Sequence, residues 1–176
     1  MFTRKGSLAL LALACASALP LGAAADVSAF ELGSYSSYPG GKEIAARDYA
    51  GAIKSASAMK GYAGVTEPLV AATNLCVAYT ATGAFPDARA ACDRALELAR
   101  REDAMASTRF HATATATSRA LSNRGVLRAL NGDAAAAASD FRAAAKLRAS
   151  WAAAERNLAF LESSPSRVAR AEGGAD

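Results

Sequence analysis

The chain has 176 residues, 52% of them hydrophobic and 20% charged, with 20 lysines and arginines against 16 aspartates and glutamates, three cysteines and one histidine. A single histidine, His111, excludes a multi-histidine metal site and leaves any serine or cysteine triad to be built around one residue. Two of the basic residues, Arg4 and Lys5, fall in a segment expected to be removed, which leaves 18 basic against 16 acidic residues and takes most of the compositional support from nucleic-acid binding.

In chain order, Arg4 and Lys5 precede an apolar run from Leu8 to Leu21, followed by Ala23-Ala24-Ala25 and Asp26. A basic start, an apolar run too short to span a bilayer comfortably and small residues before the cut describe a secretory signal peptide over residues 1–25, cleaved after Ala25. The mature chain of 151 residues fits one domain and is expected in the periplasm or outside the cell, with no stable membrane insertion after cleavage. A lipid anchor at Cys15 is the alternative, and Ala12-Leu13-Ala14 suits that cleavage poorly.

Residues 26–41, with Ser34-Tyr35-Ser36-Ser37-Tyr38-Pro39-Gly40-Gly41, read as an irregular leader. A helix is predicted from about Lys42 to Met59, and Gly61, Gly64 and Pro68 mark the turn after it. Thr66 is placed to cap the next helix, which runs to Thr82 with Leu69, Ala72, Leu75, Cys76 and Tyr79 on one apolar stripe. Pro86 and Asp87 open its partner, expected to reach about Arg101. A long helix then ends at Asn131. The alternation of Thr113, Thr115 and Thr117 with alanine argues instead for an extended stretch there, because β-branched residues lower helix propensity. A helix from Asp133 or Ala134 to about Ala149 and a last one from Ser150 to Glu162 follow, with Trp151 packed at their junction. The helical domain spans 42–163, and residues 164–176 read as a disordered tail.

Two stretches of this pattern repeat. Nine residues before Gly83 and Gly132 stand Asn74 and Asn123, and seven before stand Cys76 and Gly125. Five after come Ala88 and Ala137, nine after come Cys92 and Phe141, and twelve after come Ala95 and Ala144. Small residues facing each other let two helices approach closely, and a glycine between them supplies the positive φ that ends the first, so each block reads as an antiparallel helix pair. Leu75, Tyr79, Gly83, Phe85, Ala88, Ala95 and Leu96 in the first block, and Gly125, Gly132, Ala137, Phe141 and Ala144 in the second, resemble the tetratricopeptide repeat, whose period is about 34 residues. Asp48 to Ile53 resembles the start of a second helix, and Asn157-Leu158-Ala159 a first helix. The resemblance covers roughly residues 44–163 and implies an all-α, short tetratricopeptide-like solenoid of antiparallel pairs, about five helices in all. The two glycines are 49 residues apart, with 15 extra residues around Glu102 to Thr117 expected to lengthen a helix, and Arg128 stands where the first block has Tyr79.

In the repeat register Cys76 and Cys92 face each other across the first pair, and a disulfide between them is expected; two buried thiols filling small core sites are the alternative. The register also places Asn74, Asn123 and Asn157 at one position on successive first helices, which in this family line the concave groove. An asparagine amide both donates and accepts, so such a ladder pairs with the backbone of an extended peptide whatever its side chains; the alternative is a bond to a neighbouring helix. Thr73, Val77, Arg119, Ser122, Val126, Arg156 and Phe160 would neighbour the ladder, with Val126 and Phe160 as apolar anchors and the two arginines as partners for acidic groups. Arg119, Arg124, Arg128, Arg142, Lys146, Arg148 and Arg156 read as a solvated face, or as a face for an anionic partner.

No phosphate-cradling glycine loop, zinc-finger spacing or cofactor motif occurs, and His111 reads as a helix-surface residue. The expected function is a non-enzymatic adaptor without a cofactor, holding a peptide or protein of the cell envelope in the groove. A structural accessory of an envelope assembly, or a self-associating helical protein, is the alternative.

Overall fold

The computed structural model describes residues 27–59, 66–106, 115–147 and 152–163. The expected signal peptide and tail, Cys15, His111, Arg148 and Trp151 lie outside them. Among the described residues the chain is all-helical without a strand, and its seven α-helices exceed the expected five: α1 (Gly41–Ala45), α2 (Tyr49–Ser57), α3 (Thr66–Thr82), α4 (Phe85–Ala106), α5 (Thr115–Leu130), α6 (Ala134–Lys146) and α7 (Ala153–Ser163). A short 3-10 turn, Val27–Ala29, precedes them.

The helix expected over 42–59 is two helices. Arg47 adopts φ +59, and the Asp48 amide turns back to the Glu43 carbonyl at 2.8 Å, which closes α1; the Asp48 carboxylate then accepts from the Gly51 amide at 2.9 Å and opens α2. A left-handed arginine costs energy that glycine would not, so composition alone gave no sign of this break.

Gly83 and Gly132 do adopt positive φ, +73 and +86. Around each, the glycine amide bonds three residues back and the next amide five back: Gly83 to Thr80 and Ala84 to Tyr79, then Gly132 to Ala129 and Asp133 to Arg128. These are matching Schellman closures, which satisfy the last carbonyls of α3 and α5 and send α4 and α6 back along them. Asp133 then caps α6 through the Ala136 amide at 2.9 Å.

Within each pair the facing positions carry different chemistry at the same level. In the first pair Cys76 and Cys92 are joined by the expected disulfide. At the equivalent level of the second pair Gly125 faces Phe141, whose ring would lie 2.6 Å from a Cβ added at Gly125. A covalent bridge and an aromatic ring on a glycine thus fill equivalent gaps. Ala88, Ala95, Ala137 and Ala144, at 0–1% exposure, let the backbones close on either side.

Two predictions follow from this contrast. Gly125→Ala gains about 1 kcal/mol of helix propensity but drives its methyl into the fully buried Phe141 ring, an overpacking that costs about 1–3 kcal/mol. A net fall in the urea midpoint is expected, and an unchanged or raised midpoint refutes the close approach. Reduction of Cys76–Cys92 is expected to cost about 3 kcal/mol by releasing a loop of this size in the unfolded chain, seen as a lower melting temperature with dithiothreitol.

Of the extra residues, 107–114 lie outside the described residues; Glu102 to Ala106 continue α4 past its expected end, and the helix expected to be long and to end at Asn131 is α5, Thr115–Leu130. Asp103 on that extension accepts from the Thr117 amide at 2.8 Å and so caps the first turn of α5. Thr115 and Thr117 are therefore helical rather than extended, because an acidic group from α4 meets the amides that β-branched residues alone would leave weakly held. Thr113 lies outside the described residues.

α3 does not have one buried stripe. Leu69, Val70, Ala72, Thr73, Asn74, Cys76, Val77, Ala78 and Thr80 are all buried, because the helix packs on α2 and α4 and also meets α5 and the leader. α5 likewise meets α3 and α7, so α3, α5 and α7 form one layer, with α4 and α6 packed outside it.

Candidate functional site

The site grows from three residues of that layer. Asn74 on α3, Asn123 on α5 and Asn157 on α7 are 0–1% exposed, and each aims its amide at the same object, the chain's own leader. Asn157 Oδ1 accepts from the Glu31 amide at 2.8 Å while its Nδ2 donates to the Glu31 carbonyl at 2.9 Å. Asn123 does the same with Gly33, at 2.8 Å in both directions. Asn74 accepts from the Tyr35 amide at 2.8 Å and donates to the carbonyls of Tyr35, at 3.3 Å, and Pro39, at 3.0 Å.

Residues 31, 33 and 35 present alternate peptide groups, the period of an extended chain, to three successive helices. The leader therefore crosses the layer from α7 to α3, against the order of the helices. From Phe30 to Gly40 it forms neither helix nor strand, in keeping with the irregular leader expected, but it is held in place. Serine, tyrosine and glycine contain no helix signal, and the order here comes from bonds made by residues 39 to 126 positions away. All buried side-chain polar atoms in the described structure have partners, and the second Asn157 donor contact, to Ser122 Oγ at 3.3 Å, ties the ladder to α5.

The flanking residues give the backbone clamp its side-chain contacts. Phe30, 7% exposed, enters a cluster with Val126, Ala129, Ala137, Phe141 and Leu161, and meets Phe160 edge-on at 5.0 Å between ring centroids. Val126 and Phe160, expected as anchors for a partner, here pack with Phe30 of the chain's own leader. Arg156 clasps the Glu31 carboxylate with Nε and Nη2, which holds the glutamate below and the guanidinium above their ordinary pKa ranges, hydrogen bonding being the main cause in each case. Both side chains are half exposed, so this pair orients the leader more than it stabilises it. Arg119 meets an aromatic ring of the leader. Its guanidinium lies 4.2 Å above the Tyr35 ring, and burial raises the Tyr35 phenol while that cation opposes the shift. Thr73, Val77 and Ser122 are buried in the same layer.

The positive charge of the second half is not a uniformly solvated face. Asp140, 4% exposed, takes Arg124 through Nε and Nη2 at 2.9 Å each and Arg128 at 2.9 Å, and Arg124 also reaches Asp93 at 3.2 Å. The bond to Asp140 is the main reason the Arg124 pKa is raised. Arg142 pairs with Glu162. Asp93, Arg124 and Arg128, with Phe85, Arg89, Leu127, Asn131 and Asp133, line a cavity of about 230 Å³, in which Arg124 and Arg128 are already paired with Asp140.

Sequence reasoning missed the leader residues Phe30, Glu31, Gly33 and Tyr35, and the Asp140 network. The signal available for the leader was Phe30-Glu31-Leu32, an apolar and acidic step directly opposite in character to the serine-rich run after it.

Among the described residues no group of three or more histidines, cysteines, aspartates or glutamates is placed to hold a metal, and no helix is long and apolar enough to cross a membrane. The fold and site define an all-helical protein that clamps an extended segment of its own chain by the backbone. No family model, curated protein or solved structure matches it.

Proposed function

We propose that this chain is a periplasmic or secreted, non-catalytic interaction module of tetratricopeptide-like repeats, whose asparagine ladder holds an extended polypeptide in the groove of its first helices. The observation that carries this reading is the leader itself: three buried amides on α3, α5 and α7 bind alternate peptide groups of a five-residue stretch in both directions. Such contacts ignore side chains at the clamped positions, so the ladder suits any strand-like segment that brings matching flanks. The leader is the resident occupant, and a partner enters when it leaves.

The second reading, a structural accessory, is favoured by one observation. The ladder's bonds are all made within the chain, and Phe30 belongs to a core cluster, as a permanent strut would require. Native-state amide exchange separates the two. An interaction module exchanges the Glu31, Gly33 and Tyr35 amides through a local opening well below the global unfolding energy. Exchange of those three amides only with global unfolding would sink the interaction reading and leave the strut.

A further inference from the structure

We propose that the groove is selective for an extended segment of the pattern aromatic, carboxylate, apolar, glycine, any residue, aromatic, and that its trans occupant is a separate protein carrying such a segment, with the leader as built-in competitor. This rests on the interaction reading above. The resident stretch Phe30-Glu31-Leu32-Gly33-Ser34-Tyr35 shows what each subsite takes. The first admits a ring, since Phe30 packs with Phe141 and Phe160. The second supplies Arg156 to a carboxylate through two parallel bonds, a geometry that a lysine or a neutral side chain in the ligand does not satisfy. The third places Leu32 half-buried against the same apolar cluster as Phe30.

The fourth subsite encloses its residue. Gly33 is the only buried residue between Glu31 and Pro39, and both its peptide groups are bound by Asn123. Ser34 is half-buried, and the pattern leaves this position open. The sixth offers the Arg119 guanidinium to an aromatic face. Polarity is also set, because the amino-terminal end lies on α7 and the carboxy-terminal end on α3. The asparagines supply affinity for backbone, and Phe160, Arg156 and Arg119 supply the choice of sequence.

A segment in trans competes with a leader tethered by the short turn Ser36 to Gly41, in which the Tyr38 amide bonds Tyr35 and the Gly41 amide bonds Tyr38. Such a tether sets an effective concentration in the millimolar range. The apparent dissociation constant for an external segment is the intrinsic one divided by the fraction of molecules whose groove is open, so weakening the leader strengthens binding in trans.

The test uses the full mature chain and a capped, fluorescent Phe-Glu-Leu-Gly-Ser-Tyr peptide in anisotropy titrations. Glu31→Ala and Tyr35→Ala, made separately so that one folded leader variant is retained, are expected to bind it about two- to fivefold more tightly than wild type. A peptide with lysine in place of glutamate should bind these variants poorly and regain binding when Arg156→Glu is added. Equal binding of a scrambled peptide overturns the pattern but leaves the backbone clamp standing. Absence of any peptide binding by a folded leader variant overturns both. Concentration-dependent dimers of the wild type that the peptide dissociates would assign the groove to a second copy and overturn the separate partner.

Discussion

Asn123→Ala is expected to destabilise the protein by about 2–4 kcal/mol and to release the leader while the helices persist. Asn123 is fully buried and serves both peptide groups of Gly33, so its loss leaves one N–H and one C=O in a closed site without partners, at about 1–3 kcal/mol each. Those groups regain water only if the leader lifts away, which caps the penalty at the free energy with which the leader is docked. Helicity should not fall, since alanine is a better helix former than asparagine. Amide exchange at Glu31, Gly33 and Tyr35 should rise towards unprotected rates, together with a lower urea midpoint and unchanged far-ultraviolet circular dichroism. Continued protection of the Gly33 amide in the variant would show that the ladder does not hold the leader. Asn74→Ala should have a milder effect, because its contact with the Tyr35 carbonyl is longer and Tyr35 is only half-buried, so its peptide groups are closer to water.

Asp140→Ala is expected to cost about 3 kcal/mol. Asp140 is the shared acceptor of Arg124 and Arg128, and removing one member of a buried ion network leaves uncompensated charge, at about 3–5 kcal/mol for a fully enclosed pair. The arginine side chains are 19% and 33% exposed, so water screens part of that charge and the lower end applies. Asp140→Leu combined with Arg124→Met should recover part of the loss, since it removes the desolvation penalty of the more buried arginine along with the attraction and leaves only the more exposed Arg128 unpaired. Urea melts of the single and double variants check this, and a single variant within about 0.5 kcal/mol of wild type, the range of an ordinary surface change, would show the network to be inert.

The helix pairs were legible because their determinants are local. Gly83 and Gly132 close α3 and α5 with the positive φ that their offsets implied, and the facing of Cys76 with Cys92 follows from counting residues along two helices joined by a tight turn. The ladder was legible for the same reason: helical periodicity puts Asn74, Asn123 and Asn157 on one layer once the register is known. The break at Arg47 was not, because a left-handed arginine is set by the balance between its local strain and the cap that Asp48 supplies to α2. Nor was the helical state of Thr115 and Thr117, where Asp103 reaches in from another helix.

The arginine-rich second half shows the same division. Sequence counts its charges but not their partners, and Asp140, Glu162 and Glu31 are brought to Arg124, Arg142 and Arg156 by the packing of separate elements. The sequence by itself determined two helix pairs, their glycine closures, the cysteine staple and a row of three asparagines, all of which depend on residues a few turns apart. Only the tertiary structure decided what the row holds. A segment without helix or strand propensity is ordered by whichever surface satisfies its peptide groups, and here residues 31, 33 and 35 find that surface in helices far along their own chain.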